Sequence, residues 1–166
     1  MQLPEKYILF VGSRYSYKNF NRFIEAFSLL AQKDSKLYLI CTGNKFSQGE
    51  EDKLSKLHIK NKTLQINASD KELSELYTRA SLFVFPSLYE GFGIPILEAY
   101  ACHCPIAISN TSCFPEIAGD AAIYFDPYSV KDIANTIEAI IYNPQKANEL
   151  IQKGIKRLEL YSWEKT

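Results

Sequence analysis

The sequence lacks two glycine-rich signatures that many nucleotide-binding proteins carry. No G-x-G-x-x-G follows its first apolar run, which weighs against a nicotinamide or flavin dinucleotide cofactor. The Walker A spacing, G-x-x-x-x-G-K-[ST], is also absent, so ATP hydrolysis is not expected. Any phosphate site in this chain must therefore be built from other loops.

Long apolar runs and an excess of one charge are missing too. A bilayer-spanning helix needs roughly 20 apolar residues, and no run approaches that length. The N-terminus has no apolar segment after a basic stretch, so we expect no secretory signal. The 19 basic and 19 acidic residues cancel, which argues against a broad surface for nucleic acid or anionic membrane. We expect a cytoplasmic protein with no nucleic-acid partner and no direct membrane contact.

The cysteines are poorly spaced for a metal site. Cys102, His103 and Cys104 are consecutive, and Cys113 follows nearby. One-residue spacing at a helix end suits zinc poorly compared with a C-x2-C pair. We expect reduced thiols, in a reducing compartment, and no bound metal.

Short apolar runs alternate with helical patterns along residues 1–166. Continuous apolar strands separated by helices are typical of a parallel sheet covered on both faces. We predict one α/β domain, a Rossmann-like, doubly wound parallel sheet of six strands in the order 3-2-1-4-5-6. Such a sheet binds ligands past the carboxyl ends of strands one and four. The predicted strands are 7–11, 37–41, 63–66, 82–85, 105–109 and 122–125, and the predicted helices are about 20–32, 50–57, 70–79, 95–101, 113–118, 130–142 and 144–160.

Segment 86–98 organises the rest of the chain. Pro86 ends the fourth strand because it has no N–H for the ladder, residues 90–93 form a glycine loop, and Pro95 opens a helix. The N-terminus of that helix suits an anion or a polar ligand. Glu98 is a lone carboxylate in an apolar helix, which we expect to be buried. Glu98 complements the helix dipole, accepts hydrogen bonds from backbone N–H groups, or binds hydroxyl groups of a ligand. Glu90 is either a solvated turn residue or part of the same site.

Two cations follow the first strand. Arg14 and Lys18 flank the turn into the next helix, across the predicted switch point from the two glutamates. Two cations and a helix N-terminus can hold a diphosphate without metal. The alternative is that both are solvated loop charges.

Three motifs carry a resemblance to a known family. They are residues 11–14 (VGSR) with 18–19 (KN), residues 86–95 (PSLYEGFGIP) with 97–99 (LEA), and residues 115–122 (PEIAGDAA). Over essentially its whole length the chain resembles the C-terminal domain of family 4 retaining glycosyltransferases, one half of a GT-B fold. Residues 161–165 (YSWEK) also look like the end of that domain. The most specific signal is the pair Glu90 and Glu98, with seven residues between them and with glycines and prolines in register.

The resemblance implies a site for a nucleoside diphosphate sugar and no separate cofactor. Arg14 and Lys18 match the residues that hold the donor diphosphate and steady the leaving nucleotide. Glu90 matches the glutamate that contacts the donor sugar, and Glu98 the one that bonds the ribose hydroxyls. The base would lie near the loop at 66–69. The implied donor-binding residues are Gly12, Arg14, Lys18, Glu90, Gly91, Phe92, Gly93, Ile94 and Glu98, of which Glu90, Arg14 and Lys18 are catalytic.

The resemblance also implies what this chain works with. Family members carry an N-terminal domain that binds the acceptor, so we expect this chain to be the donor half of a longer enzyme that binds donor weakly and transfers no sugar alone. The missing domain could hold the enzyme at the inner membrane. The residues at 12–14 (GSR) and 17–19 (YKN) resemble those of mannosyltransferases that use GDP-mannose. The implied reaction transfers mannose, with retention of anomeric configuration, to a glycan or lipid-linked saccharide. His103 departs from the family, which often has glycine there.

Other functions fit these residues less well. A non-catalytic nucleotide-sugar-binding or scaffold module derived from the same family would keep the fold and the binding residues. A glycoside hydrolase would use two carboxylates but has no need of Arg14 and Lys18. A receiver domain needs acidic residues after the first strand, and a flavodoxin needs a Ser/Thr-rich loop there, whereas this chain has Gly12, Ser13 and Arg14.

Overall fold

Six parallel strands form the centre of the molecule. A computed structural model describes residues 1–161, and the strands are β1 (Tyr7–Phe10), β2 (Tyr38–Thr42), β3 (Thr63–Ile66), β4 (Leu82–Phe85), β5 (Ile106–Ser109) and β6 (Ile123–Phe125). Their order is β3-β2-β1-β4-β5-β6, and every pairing is parallel. The predicted fold class and strand order are therefore confirmed.

Seven α-helices lie within the described residues, of which the first five connect successive strands and the last two follow β6. They are α1 (Phe20–Lys33), α2 (Gln48–Lys56), α3 (Asp70–Arg79), α4 (Ile94–Ala101), α5 (Phe114–Ala118), α6 (Val130–Ile141) and α7 (Pro144–Leu158). Short 3-10 turns cover Ser16–Lys18, Lys60–Lys62 and Glu159–Tyr161. Of the closing residues 161–165 that carry part of the resemblance, those after Tyr161 lie outside the described residues.

Helix α2 begins two residues earlier than the sequence pattern predicts. Its start is set by a capping box, in which the Ser47 hydroxyl accepts from the Glu50 N–H at 3.2 Å and the Glu50 carboxylate accepts from the Ser47 N–H at 2.8 Å. These two bonds satisfy amide groups that the helix leaves unpaired. The periodicity of apolar residues did not reveal this start, because the capping residues are all polar.

The core lies on both faces of the sheet. Along β1, Ile8 and Phe10 face one cluster, which is covered by α1 and α6, while Tyr7 and Leu9 face the other, which includes Tyr77 and side chains of α4 and α5. Side chains of a strand alternate between faces, so each strand contributes to two cores. This arrangement leaves the carboxyl ends of the strands to the connecting loops.

The turn from α4 into β5 tolerates the unusual His103. Its φ is +56°, in the left-handed region that glycine favours. The turn therefore keeps a conformation suited to the glycine of the resembling family, at some cost in backbone strain. Among residues 1–161, no helix combines the length and apolarity that crossing a membrane requires.

Candidate functional site

The loops that follow β1 and β4 are joined to each other by hydrogen bonds. The two strands are neighbours in the sheet, with Ile8 opposite Leu82. Beyond them, the Leu88 N–H donates to the Tyr17 carbonyl at 2.8 Å. The predicted switch point is thus a place where residues from both loops touch.

Lys18 and Glu90 form an ion pair across this junction. The Lys18 ammonium donates to Glu90 Oε1, and the Ser87 hydroxyl donates to the same oxygen at 3.0 Å. The side chains of Lys18 and Glu90 are 14% and 16% exposed, so the pair is shielded from water without being sealed. An ammonium group has three donors, which leaves Lys18 able to bind a further acceptor such as a phosphate oxygen.

The backbone of Glu90 is fixed from the opposite side by the loop after β5. The Ser112 hydroxyl donates to the Glu90 carbonyl at 3.0 Å and accepts from the Glu90 N–H at 3.3 Å. Farther along the loop, Gly93 has a φ of +90° and caps α4 without any side-chain hydrogen bond. Pro95 has no N–H and the Ile96 N–H donates to the Gly93 carbonyl at 2.9 Å, so within the first turn of α4 the Ile94 N–H is the one left for a ligand.

Glu98 lies on α4 and is held by a tyrosine of α3. The Tyr77 hydroxyl donates to Glu98 Oε2 at 3.0 Å. The pKa of Tyr77 is raised, chiefly by burial of the side chain and next by the neighbouring Glu98 carboxylate. The Tyr77 hydroxyl therefore remains a donor at neutral pH.

The expectation that Glu98 is buried is wrong. It is half-buried, and α4 is not covered all round, since Ile94 at its start is 60% exposed. The face of α4 that carries Ile96 and Ala99 is buried, whereas its first residue, Ile94, is exposed.

Arg14 lies apart from the Lys18–Glu90 pair. Its guanidinium donates to Glu50 at 3.0 Å and to carbonyl oxygens of residues 42, 44 and 45, and it stacks over Phe46 at 4.7 Å. The side chain is 4% exposed. Its contacts thus join the loops after β1 and β2, and the structure does not bring the two predicted cations to one glutamate. The role of Arg14 toward a diphosphate stays a prediction.

A cavity of about 270 Å³ opens at the carboxyl ends of β1, β2 and β3. Gly12 lies in its wall and donates its N–H to the Thr42 hydroxyl at 3.0 Å. Asn67 and Ala68, in the loop predicted to lie near a nucleotide base, line the same cavity. A larger groove of about 830 Å³ lies at the amino ends of the strands, around residues 2–6, and so at the wrong end for a ligand of such a sheet.

Three residues at the site were not predicted to belong to it. Ser87 binds Glu90 from within the same loop, Ser112 binds Glu90 from the loop after β5, and Tyr77 binds Glu98 from α3. The helical periodicity places Tyr77 inward, but nothing local to Ser112 marks it, because only the pairing of β4 with β5 brings it close. Within residues 1–161 no three His, Cys, Asp or Glu side chains are grouped to hold a metal ion.

Comparison with known proteins identifies a family. The family model described as "Glycosyl transferases group 1" matches residues 2–157. The O-antigen chain mannosyltransferase B of Escherichia coli is 33% identical over 165 residues, which are 95% of this chain and 42% of that protein. The serotype-specific mannosyltransferase WbdA of Escherichia coli is 30% identical over 170 residues, 99% of this chain and 21% of that protein. The chain thus spans less than half the length of these relatives.

Solved structures have the same fold. The C-terminal domain of a glycosyl transferase group 1 family protein from Francisella tularensis has a TM-score of 0.83 at 24% identity, over 97% of this chain and 89% of that one. S. aureus TarM, crystallised with UDP, has a TM-score of 0.85 at 18% identity, over 97% of this chain and 34% of that one. At such identities the likeness shows a shared fold.

Proposed function

We propose that residues 1–166 are the domain of a glycosyltransferase that binds a nucleoside diphosphate sugar. This proposal starts from the fact that the chain belongs to the glycosyl transferases group 1 family. The observation that carries this proposal is the ion pair of Lys18 with Glu90, in the loop that leads into α4. The pair lies at the switch point of the sheet, where such folds bind ligands.

Each part of the donor has a matching group. The diphosphate faces Lys18 and backbone N–H groups of residues 91–94, which stabilise the negative charge that develops as the nucleotide leaves. Glu90, already within reach of Lys18, accepts from hydroxyls of the sugar. The free oxygen of the Glu98 carboxylate accepts from ribose hydroxyls while Tyr77 holds its other oxygen. The base enters the cavity beside Gly12 and Asn67.

The donor and the partner domain belong to the same proposal. Relatives named as mannosyltransferases support mannose as the sugar that is transferred. The proposed donor is GDP-mannose, and the proposed transfer is with retention of configuration to a glycan or lipid-linked saccharide. The chain spans 42% of one such relative, which supports an acceptor-binding domain outside residues 1–166. That TarM was crystallised with UDP supports nucleotide binding by this fold. We expect the 166-residue chain to bind donor and to transfer no sugar by itself.

Calorimetric titration with GDP, UDP and ADP tests the binding proposal. We expect GDP to bind best, and Glu98→Gln to weaken GDP binding by about tenfold, because one charge-assisted hydrogen bond contributes about 1.5–3 kcal/mol. Glu51→Gln, on α2 away from the cavity, serves as the matched control and should bind GDP as the native chain does. A folded chain that binds none of the three nucleotides would contradict the proposal, and hydrolysis of an aryl mannoside without nucleotide would favour a glycoside hydrolase.

A further inference from the structure

Asn19 is a buried residue in the left-handed region of the backbone. Its φ is 62° and its ψ 30°, and it both ends the 3-10 turn Ser16–Lys18 and begins α1. Only 4% of it is exposed. Asparagine tolerates this conformation better than other residues with a Cβ, but glycine would adopt it with less strain. The side chain must therefore contribute something that glycine cannot.

The Asn19 amide connects three loops at the carboxyl end of the sheet. Its Nδ2 donates to the Pro86 carbonyl at 3.0 Å, after β4, and to the Pro127 carbonyl at 2.7 Å, after β6. Its Oδ1 accepts from Arg22 at 3.1 Å. Both hydrogens of the amide nitrogen are used, and neither proline carbonyl could be reached by a side chain that lacks donors.

These bonds lie on either side of Lys18. The residue before it, Tyr17, accepts from the Leu88 N–H, and the residue after it, Asn19, donates to the Pro86 carbonyl. The backbone of Lys18 is thus tied to the loop that carries Glu90 at both neighbouring positions. We propose that Asn19 is a positioning residue that holds the Lys18 ammonium at Glu90, and so at the diphosphate; this second step rests on the donor-binding function proposed above.

Two substitutions separate the backbone requirement from the side-chain requirement. Asn19→Gly keeps the left-handed conformation and removes all three side-chain bonds. Asn19→Asp keeps the shape but places one carboxylate oxygen, in the position of Nδ2, against both carbonyl oxygens. His58→Gly is the matched control, because His58 also has a positive φ, of 59°, and lies exposed after α2, far along the chain from these loops.

The first measurement needs no ligand. Urea denaturation of the native chain, Lys18→Ala, Glu90→Ala and the double variant gives the coupling between Lys18 and Glu90, which we expect to be about threefold or more in the unfolding equilibrium constant. When the same four variants are made in the Asn19→Gly background, we expect no coupling between Lys18 and Glu90. In the His58→Gly background we expect the same coupling as in the native chain. Undiminished coupling in the Asn19→Gly background would overturn the proposal. If that variant does not fold, the cycle is repeated in the Asn19→Asp background, which loses both Nδ2 donors; the coupling should be lost there too, and undiminished coupling would overturn the proposal equally.

The second measurement uses GDP and guanosine. We expect Asn19→Gly and Asn19→Asp to weaken GDP binding about tenfold, to leave guanosine binding unchanged, and to add nothing further to Lys18→Ala. A purely structural role would weaken both ligands, or would add fully to Lys18→Ala, and either result would overturn the proposal. If the native chain binds no GDP, the donor-binding function fails, while the denaturation cycle still decides whether Asn19 positions Lys18.

Discussion

The ammonium group of Lys18 binds the carboxylate of Glu90 although 72 positions of sequence separate them. The contact exists because β1 and β4 are neighbours in the sheet and both loops leave its carboxyl end. Ser87 donates to the same Glu90 oxygen, so the carboxylate has two donors already in place. An incoming phosphate would therefore share a cation that the protein has already oriented.

We expect Lys18→Ala to weaken GDP binding by about tenfold to a hundredfold and to leave guanosine binding unchanged. The substitution removes one charge-assisted bond to the diphosphate, which contributes about 1.5–3 kcal/mol. Titration calorimetry of both ligands measures the difference. Lys45→Ala, at an exposed lysine in the loop after β2, is the control. Equal weakening by the two substitutions would mean that only general positive charge is needed.

Arg14 is expected to matter for folding as much as for binding. Arg14→Ala removes a nearly buried guanidinium from Glu50 and from carbonyl groups, so the free energy of unfolding should fall by about 3 kcal/mol. Urea denaturation measures this loss. Arg79→Ala breaks an exposed pair with Glu75 and should cost under about 1 kcal/mol. Loss of GDP binding by Arg14→Ala with unchanged stability would instead indicate that Arg14 faces the diphosphate.

Gly154 lets α7 pack against α4. A Cβ there would lie 2.5 Å from the ring of Tyr100, which cannot move away easily because its hydroxyl donates to the Ala121 carbonyl at 3.0 Å. We expect Gly154→Ala to lower the free energy of unfolding by about 2 kcal/mol, despite the better helix propensity of alanine. Gly49→Ala, in α2 with its nearest neighbour 4.0 Å away, should be neutral or raise it by up to about 1 kcal/mol. The midpoint temperature of thermal denaturation should therefore fall for Gly154→Ala, and for Gly49→Ala it should rise or stay unchanged.

Asp34 makes stability depend on acid pH. Hydrogen bonds from Lys6 and then Tyr142, each at 2.7 Å, lower the pKa of Asp34 from 3.8 to about 2. Because the pKa is lower in the folded state, the contribution is present above about pH 4 and is lost as the pH falls through 2. After allowance for solvent screening it is about 1 kcal/mol.

The Asp34→Asn variant tests this contribution. We expect it to be about 1 kcal/mol less stable than the native chain at pH 7 and closer to it near pH 2, as measured by urea denaturation at each pH. Asp120→Asn, at an exposed carboxylate 3.7 Å from Lys153, is the control and should differ little from the native chain at either pH. A constant difference for Asp34→Asn across the range would mean that the Asp34 charge is not responsible.

The sequence by itself determined the fold and which loops lie together at one edge of the sheet. Continuous apolar strands alternating with helices lead to a parallel sheet, and the glycines and prolines of segment 86–98 mark a strand, a loop and a helix start, because these residues restrict or free the backbone locally. Such local effects can be recognised from the sequence alone. They were enough to place Lys18 and Glu90 on two loops at the same edge of the sheet.

Only the tertiary structure decided which side chains meet. Arg14 turns toward Glu50 rather than Glu90, Tyr77 rather than a backbone amide holds Glu98, and Ser112 reaches Glu90 from another loop. Each contact depends on how neighbouring strands align and on rotamers chosen among several acceptors within reach, and the local sequence encodes neither. For that reason the sequence could name the charged residues of the candidate site but not the polar residues that contact them.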